Sequence, residues 1–234
     1  MAKIKYSALV SDMRNKLNGS VASKNRYGNY LRNKVTPVNP QTSYQQAARQ
    51  LLGALSSQYR GLTDAQRLSW INGAPNFPFT DIFGDVRYLS GQTLYVKLNT
   101  NLVNAGQAAI STAPLPVGVP ELAITDVTAE ITTGSLSDLT IGVSETTVPA
   151  GFALAVYATP PTPAAIQFVK NRYRFIGIAS VTTGEADILT AYTARFGSAA
   201  AQGEQIHVRV ALISTTTGQQ GTPSGAAGTV VVSA

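Results

Sequence analysis

Cysteine is missing from this 234-residue sequence, and histidine occurs once, at His207. The first absence excludes disulfides and thiolate metal sites, and it leaves the redox compartment unreadable. The second removes the usual base for a serine or cysteine nucleophile. His207 falls in the alternating run Gln205-Ile206-His207-Val208-Arg209, which puts it on the polar face of a strand with Gln205 and Arg209. Oxygen ligands remain, but the twelve acids are scattered. Asp81 and Asp85 around Gly84 are too few for a calcium loop, and Glu185 and Asp187 only flank a turn. No glycine cluster has the spacing of a phosphate-binding or dinucleotide loop, and no carboxylate pair can be assigned to acid–base work. No apolar run approaches the ~18 residues of a membrane helix or makes a signal-peptide core. The expectation is a soluble chain made in a cytosol, with no membrane association, no catalytic residue, no metal ligand and no cofactor. It reads as a protein that is not an enzyme.

Charge is also scarce, at 13% of residues, about half the usual share. What charge there is sits at one end. Residues 1–60 hold ten Lys and Arg against one acid, Asp12; residues 61–120 balance at three each; residues 121–234 hold five against eight. A basic N-terminal segment is thus joined to a nearly neutral body. Such asymmetry implies that the basic end lies against something acidic, either nucleic acid or a neighbouring subunit.

Three segments follow different patterns. Residues 1–40 read as a basic extended or β-hairpin arm. Asn18-Gly19 between Leu17 and Val21 is a hairpin signal, here expected as a type I′ turn. A second turn is expected at Arg26-Tyr27-Gly28-Asn29, after which Tyr30, Arg32 and Lys34 alternate onto one face. Lys24 and Arg26 of the preceding strand are expected to join them. Lys24, Arg26, Tyr27, Tyr30, Arg32 and Lys34 are therefore the candidate partner-binding residues. On a nucleic-acid reading the cations neutralise phosphates and Tyr27 and Tyr30 stack on bases; on a structural reading the ribbon pairs with another chain. Pro37 and Pro40 then impose an extended passage.

Residues 41–110 read as a small helical docking region. Thr42 with Gln45 and Thr63 with Gln66 are capping boxes. Tyr44, Ala48, Leu51, Leu52, Leu55 and Tyr59 make one apolar stripe, and Gly61 is the expected cap. Trp70, the single tryptophan, is expected to lock two helices together. Phe77-Pro78-Phe79 and Ile82-Phe83-Gly84 suggest an aromatic loop, before a further helix from Ser90 to Ala105 ended by Gly106. Residues 111–120, with Pro114, Pro116 and Pro120, read as a linker. Beyond it, seven short β runs are expected: Leu122–Ile131, Leu139–Val143, Phe152–Ala158, Tyr173–Ser180, Ala186–Tyr192, Gln205–Ile213 and Gly228–Ser233. The fold class expected is α+β, with 121–234 forming an antiparallel two-sheet immunoglobulin-like sandwich. The Pro-rich entry and the strand at Tyr157 running into Pro160-Pro161 resemble a fibronectin type III domain, a fold that does not by itself define function.

The run from Lys34 through Pro37, Asn39 and Pro40 to Thr42, followed by Leu62-Thr63, Gln66-Arg67 and Trp70, resembles a family of uncharacterised proteins of tailed phages and prophages. In that family a basic K-x-x-P-x-N-P-x-T stretch precedes two short helices ending in L-T-x-x-Q-R-x-x-W. The resemblance covers residues 1–110 best and transfers no site residue. It implies a virion structural protein, built in the host bacterial cytoplasm and incorporated in many copies beside a major capsid protein or neck and tail proteins. The function expected is an auxiliary capsid (head decoration) protein anchored by its basic N-terminus. The alternatives are a neck, tail or fibre-adaptor component and, from another class, a phage DNA-binding protein using the basic ribbon.

Overall fold

The computed structural model describes residues 2–3, 10, 12–25, 28–80, 85–166 and 168–232. The chain is α+β and divides into two compact units, Met1–Ala47 and Ala48–Ala234.

In the first unit, β1 (Ala2–Lys3), β2 (Asn15–Leu17), β3 (Ser20–Asn25) and β4 (Gly28–Asn33) form an antiparallel sheet in the order β1-β4-β3-β2. Asn18-Gly19 makes the expected two-residue loop, with Leu17 paired to Ser20, but it is not the expected type I′ turn, since Asn18 has a positive φ of 47° and Gly19 does not. Lys34 N–H donates to Gly19 O at 2.8 Å and carries the ladder one residue past β4. Residues 34–42 then run without regular structure, exposed, as the two prolines require. The turn residues Arg26 and Tyr27 lie outside the described residues.

Helix α1 (Ser43–Gly61) begins where this passage ends. Of its expected capping box, the bond from Gln45 N–H to Thr42 Oγ1 is present at 3.4 Å. The expected stripe divides: Leu55 is buried and Leu51 and Tyr59 pack beside it, whereas Tyr44 and Leu52 are about half exposed. Gly61 is the last helical residue and not a left-handed cap. In α2 (Asp64–Gly73) both halves of the Thr63–Gln66 box are made, at 3.3 and 3.0 Å. A 3₁₀ turn, Ala74–Asn76, and a short ladder of β5 (Phe79–Thr80) with β6 (Val86–Arg87) lead to α3 (Gly91–Asn104). That helix ends in a Schellman pair of bonds, Gln107 N–H to Leu102 O and Gly106 N–H to Val103 O, with Gly106 at φ +74°. The three helices share one core of Leu55, Trp70, Ala74, Leu94, Tyr95 and Leu98. Trp70 is completely buried and meets Tyr95 of α3 edge-on at 5.1 Å, so it ties α3 into the helical pair.

Residues 111–120 connect the helices to the β region as a bonded strap. Trp70 Nε1–H donates to Ser111 O at 2.8 Å, Ala113 N–H to Ser69 Oγ at 3.2 Å, and Val117 N–H to Gln219 Oε1 at 3.0 Å. Both sides of the strap belong to the same compact unit. At Gly218 (φ +71°) a Cβ would collide with the Leu98 carbonyl, and Asn101 Nδ2–H donates to Gly218 O at 2.8 Å. The β region thereby lies directly on α3.

The β region contains β7 (Ile124–Thr132), β8 (Ser135–Val143), β9 (Phe152–Ala158), β10 (Thr162–Pro163), β11 (Arg174–Ala179), β12 (Glu185–Asp187), β13 (Glu204–Ser214) and β14 (Ser224–Val232). These make one curled sheet in the order β11-β9-β13-β14-β7-β8-β12, with β10 on β13. The pairing is antiparallel except between β14 and β7, where Val230 to Val232 run parallel beside Ala129 to Ile131. The expectation is an antiparallel two-sheet sandwich; the strands instead join in one sheet, and pairing β14 with β7 brings two strands together that point the same way. The alternation of Ile206, Val208, Val210 and Leu212 is realised, each buried in the core with Leu139, Ile141, Leu154 and Val156.

The expected strand Ala186–Tyr192 is a correction. Only Glu185–Asp187 is strand, and helix α4 (Leu189–Phe196) follows. Asp187 Oδ1 accepts from Leu189 N–H at 2.8 Å and starts the turn. Tyr192 and Phe196 then meet one turn apart, with ring centroids 5.0 Å apart and the planes tilted by 52°. Tyr192 is fully buried and donates its hydroxyl to Thr159 O at 3.0 Å. Burial, and secondarily the charge of Glu204, push its pKa well up, so it stays a neutral donor.

Candidate functional site

The basic N-terminal sheet gathers its charge by strand register. Lys16 pairs with Val21, and Val21 with Arg32. Residues opposite one another across antiparallel strands share a face, so Lys16, Val21 and Arg32 form one row. Ser23 and Tyr30 form the next row on that face, and Lys34, two residues beyond Arg32, continues it. A concavity of about 430 Å³ opens here, lined by Lys16, Val21, Arg32, Lys34, Thr36 and Pro37 among others.

Of the six expected site residues, Tyr30, Arg32 and Lys34 are brought together as anticipated. Lys24 is not. Its partner is Asn29, which places it with Ala22 and Leu31 on the opposite face. Arg26 and Tyr27 lie outside the described residues. Lys16 was missed, although the Asn18-Gly19 turn fixes its place: a two-residue loop joining Leu17 to Ser20 must set Lys16 against Val21.

The electrostatics of the concavity are one-sided. The single acid of residues 1–60, Asp12, bonds Arg14 Nε at 2.8 Å. Among the described residues no acid pairs with Lys16, Arg32 or Lys34. Lys16 and Arg32 are two strands apart, about 10 Å, close to the Debye length at moderate salt, so their fields reinforce one another. Three exposed cations around a shallow hollow are an arrangement able to attract an extended anion, whether a run of phosphates or an acidic protein surface. Tyr30, half-buried on the same face, offers a ring beside them.

His207 behaves as its strand position suggests. It is half-buried, and burial lowers its pKa from the ordinary 6.5. Its backbone N–H donates to Thr159 Oγ1 at 3.2 Å. Among the described residues no group of three or more His, Asp or Glu is placed to hold a metal, and no helix is long and apolar enough to cross a membrane. No protein-family model matches the sequence, and no curated protein matches it.

Proposed function

We propose that this protein is a structural component of a bacteriophage virion, an auxiliary capsid (head decoration) protein. The observation that carries the reading is the concavity of Lys16, Arg32 and Lys34, whose charge no acid among the described residues of its unit offsets. A surface of that kind acquires its counter-charge from a partner, which here is the acidic face of a shell subunit, with strand addition to the sheet as the backbone component. The phage-like stretch from Lys34 to Trp70 supports the same assignment. The curled sheet of the second unit, read as an immunoglobulin-like module with little surface charge, is the displayed part, and many copies on one shell make the weak individual contacts cumulative.

Purified, nuclease-treated particles test this. Tens to hundreds of copies per particle, counted against the major capsid protein by quantitative mass spectrometry, are the expected result. About six or twelve copies move the protein to the neck or tail. Absence from particles overturns the reading.

A second reading, a phage DNA-binding protein, is favoured by Tyr30 on the face that carries Arg32 and Lys34, since a ring beside cations suits single-stranded nucleic acid. It requires DNA affinity that falls steeply with salt and is lost when Lys16, Arg32 and Lys34 are neutralised together.

A further inference from the structure

Between the 3₁₀ turn, α3, the middle of β13 and the loop that follows β13, a second concavity of about 360 Å³ is lined by Phe77, Leu94, Lys97, Arg209, Gln219 and Gln220 among others. Every polar side chain named here can donate a hydrogen bond, and no acid lines the cavity. Arg209 is held in a defined position. It stands on β13 opposite Tyr157, and its guanidinium carbon lies 5.3 Å from the Tyr157 ring centre and 4.9 Å from that of Tyr173. Tyr157 is steadied in turn by Phe175, edge-on at 5.5 Å, and by a bond from Gln220 Nε2 at 3.3 Å.

Two aromatic faces position a guanidinium but do not neutralise it. Arg209 Nε is shut off from solvent, and no acceptor among the described residues reaches it. Neither Arg209 nor Lys97 has an ion-pair partner among those residues. The enclosed Nε is out of a ligand's reach, so the terminal amino groups of the guanidinium are the donors left to an acceptor in the cavity that Arg209 lines. Gln219 already has its carbonyl engaged by Val117 N–H, which fixes the side chain and leaves its amide N–H₂ to face other acceptors. Phe77 and Leu94 give the hollow an apolar wall.

We propose that this pocket binds a small acidic sugar, a uronic acid or its like, with Arg209 and Lys97 on the carboxylate, the Gln219 and Gln220 amides on ring hydroxyls, and Phe77 against the ring. A planar carboxylate fits the guanidinium fork, and the amides and aromatic wall suit a polyhydroxylated ring better than a bare inorganic anion. The proposal is independent of the virion reading, since it concerns the second unit alone.

Titration of the full chain with sodium glucuronate, followed by ¹H–¹⁵N NMR, tests it. The expected result is saturable shifts confined to the Arg209 side chain, Gln219, Gln220 and their neighbours, with glucose and inorganic phosphate each binding at least about tenfold more weakly. R209K, which keeps the charge and loses the fork, is expected to weaken glucuronate about tenfold, and K97M several-fold. Lys97 is exposed on α3, so K97M decides the matter if R209K does not fold. Glucose matching glucuronate, phosphate matching it, or both variants retaining full affinity overturns the proposal.

Discussion

The two units of this chain are built on opposite principles. Among the described residues of the first, Ala22 alone is fully buried, while cations crowd the surface. In the second, two clusters of buried side chains, one centred on Trp70 and one inside the curled sheet, are accompanied by sparse and nearly balanced charge. A segment of fewer than about 50 residues with so little core gains little from burial. The contrast teaches where stability and recognition reside. The second unit is stable through what it encloses, and the proposed recognition falls to the first, which leaves its cations open.

Substitutions separate these roles, beginning with the largest effect. Trp70→Ala removes the centre of the helical core and its bond to Ser111, and is expected to cost about 3–5 kcal/mol in chemical denaturation, with DNA or shell affinity unchanged in the folded fraction. Loss of affinity at full stability would break the comparison. Thr63→Ala removes one half of an intact capping box and is expected to cost about 1 kcal/mol in the same assay.

A pH effect comes next. Because burial holds the native pKa of His207 below 6.5, an unfolded chain takes up a proton just below that pH which the native chain does not. Stability is therefore expected to fall as pH drops below about 6.5 and to level off beneath the native pKa, and His207→Gln is expected to flatten that part of the profile. Thermal midpoints of both proteins between neutral and mildly acid pH provide the measurement.

The smallest effect on stability belongs to the first unit. Neutralising Lys16, Arg32 and Lys34 to Gln is expected to change unfolding free energy by no more than about 0.5 kcal/mol, because the three are exposed and unpaired. The same variant is expected to lose partner binding, while Lys24→Gln, on the other face, keeps it. Equal losses from both variants would show that net charge matters and the concavity does not.

Much of this was readable in advance, and the exceptions have identifiable causes. The second capping box, the Gly106 stop and the alternation of Ile206 to Leu212 depend on neighbours within a few residues, so they survived into the structure. The position of Lys24 failed on parity. A two-residue hairpin loop pairs even-numbered residues with odd-numbered ones, so Lys24 cannot share a face with Arg32 across a single hairpin. Two successive hairpins restore parity and bring Lys16 there. The strand expected at Ala186–Tyr192 failed for another reason: Ile188, Leu189 and Tyr192 suit either period over so short a run, and burial of Tyr192 against Thr159 selected the helix.

By itself, then, the sequence determined the local elements, the turn that sets Lys16 against Val21, and the separation of charge from core, because each depends on residues adjacent in the chain. Tertiary structure alone decided the parallel closure of β14 on β7, the strap of residues 111–120 and the enclosure of Arg209 between Tyr157 and Tyr173. Those contacts join residues tens to more than a hundred positions apart, and their energy is gained only after the chain has already folded back on itself.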